Sequence, residues 1–373
     1  MSDYFLADDL SGALDAAAAF HHAGRRVRVV LSPVDWTSRD PDEVIGVTTE
    51  TRNAPAEVAS ATVLNAIAHG RAQGARLIYK KIDSTLRGPV AAELGAVAAA
   101  MPDARILFAP ANPAVGRTVR AGRLLVRGVP VAETEFARDP LSPVTQSELR
   151  AHVGDLNGER VVIPDTATEA DLAASVARMD AHGPNWVPVG SGALARAVAD
   201  RSAHSAVPRP AVTALVAAGP ILLVCGSAHP LNRTQAEELQ RQRGVPVCEL
   251  RIEDIAGTVH AAVDTLRSSG SLSLVVGATR TDSAVALRAI AAVAAQVISR
   301  AKVPRLFVTG GESAFAICRA LEISALDLLA EIEPGVCLAQ AVARDRGRLL
   351  AVKPGGFGGT DTWVRVWDKL RAA

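Results

Sequence analysis

Asp8 and Asp9 stand side by side where the apolar run 4–7 ends and the alanine-rich stretch SGALDAAAAF begins. One carboxylate, or Ser11, suffices to cap the helix that this stretch predicts. The other is left to face outward, where it can take a proton from a hydroxyl or hold a metal. A second polar cluster, YKKIDSTLRGPVAAEL over 79–94, places Lys81, Asp83, Ser84 and Arg87 within seven residues after another apolar run. Lysine and arginine recognise carboxylates and phosphates, arginine often through two parallel hydrogen bonds. The stretch 109–126 adds Asn112, Gly116, Arg117 and Arg123. Its Pro-Asn-Pro start and its glycines predict a rigid loop rather than a helix. Positive charge gathered here suits a small acidic substrate.

Three glycine-bearing turns offer a different chemistry. They are CGSAHP (225–230), VTGGESA (308–314) and VKPGGFGG (352–359). In TGGESAFAICRAL a strand runs through Gly310 and Gly311 into a helix expected to start near Ser313. Open amides at a helix start receive phosphate, and glycine lets an anion come close. Each turn alone reads as a tight bend. Three in one sheet predict a nucleotide-phosphate site, with Gly355 and Gly356 packed against the nucleotide and Lys353 two positions ahead. Neither a Walker A sequence nor the protein-kinase signature set occurs. GSGALA (190–195) fits G-x-G-x-x-A, which would suit an NAD-dependent dehydrogenase of a small hydroxy acid. The acidic residue expected about 20 positions later is missing. The eight histidines form no ligand-spaced cluster, and His21–His22 suit a helix C-terminus. His229 alone stands near a proposed site.

The elements that must position these groups alternate. Strands are expected at 4–8, 26–32, 43–49, 76–83, 105–111, 160–165 and from 185, with helices at 11–22 and 56–73. After a proline-bearing lapse over 201–219 the alternation resumes. Strands at 221–227, 271–279 and 305–313 go with helices at 234–243, 284–300 and 314–321. Strand–helix alternation implies βαβ units. We expect two α/β domains with mainly parallel sheets facing a cleft: residues 1–205 for the acidic substrate and 215–373 for the nucleotide. A length of 373 residues agrees with two cores.

Net charge is +1, aromatics are 3% and no basic patch appears, which argues against nucleic acid. The four cysteines are scattered, no signal peptide is visible and no apolar run reads as a membrane span. A cytoplasmic protein is expected; its homo-oligomeric state stays open.

Taken in order, ADDLSGALDAA, KKIDSTLRGPVAAEL, APANPAVGRTVRAG, ETEFARDPLSPV, VTGGESA and KPGGFGG resemble the four-carbon acid sugar kinases, which include D-threonate, D-erythronate and 3-oxo-tetronate kinases. The similarity runs from Ala7 to Gly359. It implies an N-terminal domain for the acid sugar, a C-terminal domain for ATP with Mg²⁺, and transfer of the γ-phosphoryl group to the terminal hydroxyl. Carried over by motif, Asp8, Asp9, Lys81, Asp83, Ser84, Arg87 and Asn112 would line the substrate side, one aspartate acting as base. Ser227, Gly310, Gly311, Glu312, Ser313, Gly355 and Gly356 would line the nucleotide. Ser11 stands where the family usually has threonine, and the turn after Ser227 matches more loosely than the rest.

Overall fold

The computed structural model describes residues 2–37, 40, 42–154, 156, 159–181, 183, 185–201, 218–227, 229–277, 283–342 and 347–373. It divides into two compact units, Met1–Val207 and Pro208–Ala373. Most of the stretch expected to link two domains, 201–219, lies outside the described residues.

The first unit opens with β1 (Asp3–Ala7), α1 (Leu10–His22), β2 (Arg26–Val30), β3 (Glu43–Thr48), α2 (Ala56–Ala72), β4 (Arg76–Lys81), α3 (Val90–Ala100) and β5 (Arg105–Ala109). Three short strands follow, β6 (Arg117–Arg120), β7 (Arg123–Val126) and β8 (Val129–Pro130). The unit closes with β9 (Val161–Val162), α4 (Glu169–Ala181), β10 (Trp186–Gly190) and α5 (Gly192–Arg201). Its main strands lie in the order β2-β3-β1-β4-β10-β5-β9 and all pair in parallel. Helices on both faces explain why these strands are apolar throughout rather than alternating. On one face α1 packs with α5, and on the other α2 packs with α3. Every residue of β1 is buried. Few aromatics are available, and glycine makes room for them. A Cβ on Gly46 of β3 would collide with the ring of Phe5, which stacks on Phe20 of α1 at 5.5 Å.

The second unit comprises β11 (Ile221–Cys225), α6 (Pro230–Arg243), β12 (Val247–Leu250), α7 (Ile255–Ser269), β13 (Ser271–Val276), α8 (Ser283–Ala301), β14 (Arg305–Thr309), α9 (Gly311–Ala320), β15 (Ala325–Glu333), β16 (Val336–Val342), β17 (Leu349–Lys353) and α10 (Thr362–Ala372). The strands β12-β13-β11-β14-β17 are parallel, and β16 and β15 extend them antiparallel. Its core gathers Leu223, Phe307, Leu338 and Ala351 from the sheet with Trp363, Val366 and Trp367 of α10. Among the described residues α8 alone is long and apolar enough to cross a bilayer. Its Ile290, Val293, Ala294, Val297 and Ile298 recur at helical spacing and are at most 1% exposed, so the apolar face is core.

Three expectations change. The 109–126 stretch is neither helix nor plain loop: β6 and β7 form a hairpin whose turn residues Ala121 and Gly122 both have positive φ. That turn is pinned by Asp165, which accepts from the amides of Ala121 (2.7 Å) and Gly122 (3.0 Å). The helix expected from Ser313 starts at Gly311, and the one expected from 234 starts at Pro230, where proline suits a first helical position.

Candidate active site

The order β3-β1-β4 fixes which side chains meet, because ligands of such sheets sit beyond the strands' C-terminal ends. From β1 come Asp8 and Asp9. From β3 comes the segment 49–52, tied to β1 by the amides of Thr49 and Thr51, which donate to the carbonyls of Ala7 (2.8 Å) and Asp8 (2.9 Å). From β4 come Lys81, Asp83 and Ser84.

Asp9 caps α1, accepting from the amide of Gly12 at 2.7 Å and from the Ser11 hydroxyl at 2.5 Å. It is not free to act as a cap alone, however. Arg52 lies across both aspartates: Nε donates to Asp8 Oδ2 at 2.8 Å, Nη1 to Asp9 Oδ2 at 2.7 Å, and Nη2 to Asp8 Oδ1 at 3.0 Å and Asp9 Oδ1 at 2.7 Å. Burial alone would raise the Asp8 pKa. The Arg52 guanidinium, with the ammoniums of Lys81 and Lys80, outweighs it and holds that carboxyl below its usual range. Gly12 leaves the space in which these groups gather. A Cβ there would lie 2.6 Å from Asp9 Oδ1, 2.9 Å from Lys81 Nζ and 3.4 Å from Asp8 Oδ1. Lys81 itself donates to the carbonyl of Ile82 at 3.0 Å.

Beside this group lies a second one. Arg87 forks onto Asp83 through Nε (2.9 Å) and Nη2 (3.1 Å) and reaches Asp139 at 3.4 Å. Despite burial, Arg87 and Arg52 hold the Asp83 carboxyl well below the usual range. Arg117 donates to the Ser84 hydroxyl. Both guanidiniums lie over the Phe136 ring, at 5.8 Å for Arg87 and 5.6 Å for Arg117, which orients them in one patch. Asn112 enters through its backbone: its amide donates to Arg117's carbonyl at 2.8 Å, and its own carbonyl accepts at 3.0 Å, so the pair fixes the start of β6.

Sequence reasoning missed Arg52 and Glu50. The signal was present, a polar run directly after the strand expected at 43–49, but strand order was not known. Glu50 has φ +50°, a strained setting for a non-glycine residue, and accepts from the Thr48 hydroxyl at 2.5 Å. Burial, then the Asp9 and Asp8 carboxylates, push its pKa up to about 8. The folded state therefore keeps a proton that the unfolded chain sheds near 4.5. Stability from this group is full below that pH and is lost as pH rises towards about 8. Glu50→Gln is expected to flatten the fall in melting temperature across this window. An unaltered slope would show that the carboxyl is not held protonated.

In the second unit the adjacent order β11-β14-β17 brings the three predicted turns together. Gly310 has φ +102° and ψ 127°, and its amide donates to the Lys353 carbonyl at 2.8 Å. A Cβ on Gly355 would sit 2.5 Å from Ser227 Oγ, and one on Gly310 would sit 3.7 Å from Ser227 Cβ. One on Gly226 would collide with Ser313 Oγ. Ser227, Gly310, Ser313 and Gly355 are thus one cluster, with Gly356 beside His229 Nε2, 3.1 Å from a built Cβ. Gly311 and Glu312 form the first turn of α9, whose leading amides have no acceptor within a helix. His229 is the N-cap of α6, its Nδ1 accepting from the Leu231 amide at 3.3 Å. Here side-chain-free backbone, a buried Thr309 hydroxyl with no hydrogen-bond partner among the described residues and a helix start fit a phosphate group. Among the described residues no group of three or more His, Cys, Asp or Glu could hold a metal.

GSGALA has another explanation. A Cβ on Gly190 would collide with the Ala109 carbonyl, and one on Gly192 with the Asp15 carboxylate. These glycines serve close packing of β10 on β5 and of α5 on α1.

Residues 4–156 match a family described as a sugar-binding N-terminal domain, and residues 222–363 one described as a nucleotide-binding C-terminal domain. Over 98% of its length the chain is 33% identical to a D-threonate kinase of Bordetella bronchiseptica, covering 96% of that protein. The chain belongs to the four-carbon acid sugar kinase family. It is a kinase of four-carbon acid sugars. This kinase is also 28% identical to a 3-oxo-tetronate kinase of Methylobacterium radiotolerans, with 98% of each chain covered. A solved structure from B. bronchiseptica, a domain-swapped dimer with bound citrate, is 31% identical to the kinase at a TM-score of 0.51, covering 100% of this chain and 99% of that one.

Proposed function

We propose that the kinase transfers the γ-phosphoryl group of ATP to the 4-hydroxyl of a four-carbon sugar acid such as threonate, erythronate or 3-oxo-tetronate. The observation that carries this reading is the meeting of Asp8, Asp9 and Arg52 with Lys81 and the Asp83–Arg87 fork at the ends of β1, β3 and β4. Such a set can bind a short polyol carboxylate at both ends. Arg87, Arg117 and Lys81 grip the carboxylate, with Ser84 and Asn112 hydrogen-bonding the chain's hydroxyls. Citrate in a related structure supports an affinity for small carboxylates. Asp8 or Asp9 accepts the proton of the attacking hydroxyl. For Asp8, the depressed pKa does not forbid this, because a loose transition state asks little of the base.

The donor lies along Ser227, Gly310, Gly311, Glu312, Ser313, Gly355 and Gly356. Mg²⁺ bound with ATP would supply charge neutralisation at the phosphates. Free cysteines agree with work in a reducing cytoplasm. An NAD-dependent reading loses its motif to the packing of Gly190 and Gly192.

A coupled ADP-release assay over a panel of four-carbon acids tests the reaction, and no turnover on any of them would end the proposal. Asp8→Asn and Asp9→Asn test the base. The responsible substitution is expected to lower kcat by about a hundredfold or more with ATP binding intact. Unchanged kcat in both variants would remove the aspartates from that role.

A further inference from the structure

The glycine turn after β17 is folded around a positive charge. Lys353 ends that strand with no exposed surface. Its Nζ donates to Asn232 Oδ1 at 3.0 Å and to the carbonyls of Pro354 (3.1 Å), Gly355 (2.9 Å) and Phe357 (3.1 Å). Gln235 Nε2 completes the arrangement, donating to the carbonyls of Phe357 (3.3 Å) and Gly359 (2.6 Å). Among the described residues no carboxylate forms an ion pair with this ammonium. Four neutral oxygens surround it instead, a donor set that suits a hard monovalent cation. A buried cation without a counter-ion costs several kcal/mol. A turn that needed only to be tight would not require it.

The cage has a direction. Carbonyls of the turn point in at the ammonium. Among the described residues no group of the chain accepts from the amides of Gly355 and Gly356. Gly355 and Gly356 are the residues that lie against Ser227 and His229.

We propose that Lys353 is a positioning residue of the phosphoryl-donor site: its ammonium is a tethered monovalent cation that turns the amides of Gly355 and Gly356 towards a nucleotide phosphate, so the kinase needs no free potassium or ammonium ion. This rests on the reading that the turn binds ATP. Burial lowers the ammonium's pKa to about 8, against the thiol of Cys225 from β11 and the carboxylate of Glu333 from β15, which raise it. Burial pushes the Cys225 thiol up to about 11, so it stays neutral across this range. Glu333 is engaged by Thr362 and Arg365. From α6 come the neutral Asn232 and Gln235, with His229 at its cap facing Gly356. The charged cage is therefore complete below about pH 8 and lost above it.

The test is steady-state kinetics of the wild type, Lys353→Met and Lys353→Ala in potassium, ammonium or tetramethylammonium chloride at matched ionic strength. Wild type is expected to be indifferent to the cation. The variants are expected to show an ATP KM raised about tenfold or more with a smaller change in kcat and an unmoved acid-sugar KM, given the worth of charge-assisted hydrogen bonds. Potassium or ammonium, but not tetramethylammonium, restores the ATP KM. Should both variants fail to fold, the wild type decides: its ATP KM rises through about pH 8 while its acid-sugar KM stays level. Wild-type dependence on potassium, variants with a normal ATP KM, a loss that no small cation restores, or a flat pH profile for ATP would each overturn the tethered cation. A nucleotide bound elsewhere is a separate failure: Gly310→Val would then leave the ATP KM unchanged.

Discussion

Arg52→Ala is expected to abolish measurable phosphoryl transfer and to destabilise the first unit by about 3–5 kcal/mol, the usual result of stripping the partner from buried charge. Four hydrogen bonds from one guanidinium satisfy two adjacent carboxylates that are each at most 5% exposed. Without it, Asp8 and Asp9 repel each other, and one must take up a proton. Chemical denaturation reads the stability loss, and it should shrink as pH falls through the carboxylate range. Arg52→Lys keeps one charge but loses the fork, so it should recover part of the stability and little of the turnover. A fully stable, active Arg52→Ala enzyme would mean that the two aspartates are held apart by something else.

The second large effect is expected at Gly310. Its φ of +102° with ψ 127° is a conformation that side-chain-bearing residues rarely adopt. A built Cβ lies 3.5 Å from Ser313 Oγ and 3.7 Å from Ser227 Cβ, so the branches of valine enter the space between two expected nucleotide contacts. Gly310→Val should raise the ATP KM by about a hundredfold, equivalent to about 2.7 kcal/mol of lost binding. Acid-sugar binding, followed by calorimetry without nucleotide, should be unaffected. An ATP KM within about twofold of wild type would place the phosphates away from the start of α9.

The expected α/β character and the strand-end position of the clusters after β1 and β4 were legible, because buried parallel strands are short apolar runs and chemistry follows them directly. A helix cap among the aspartates and Ser11 was equally legible, and the structure gives the post to Asp9. What a chain cannot reveal alone is adjacency. Arg52 reaches Asp8 across 44 positions only because β3 neighbours β1. Lys353 was visible as a lysine ahead of glycines, yet its role depends on Asn232 and Gln235 from α6. GSGALA misled for a related reason. Glycine is required there by close packing, and a pattern of glycines does not say whether a ligand or a carbonyl makes the approach. The antiparallel pair β15 and β16 went unread although Pro334–Gly335 marks its turn, because ALDLLAEIE mixes acidic and apolar residues and does not look like a buried parallel strand.

The lysine doublet of β4 is split by the pleat. Lys80 turns to one face and pairs with Glu93 of α3 at 2.8 Å, while Lys81 turns to the other, beside Asp8 and Gly12. Identical neighbours thus hold unrelated posts, one buttressing a helix layer and one beside the aspartates at the strand ends. Length in this strand is consequently inviolable in a way that composition is not. Adding or deleting a single amino acid upstream of the doublet would turn each lysine to the opposite face, leaving either Glu93 or the aspartates without an ammonium. Homologous chains should therefore vary freely in which apolar residue fills β4 and hardly at all in how many there are.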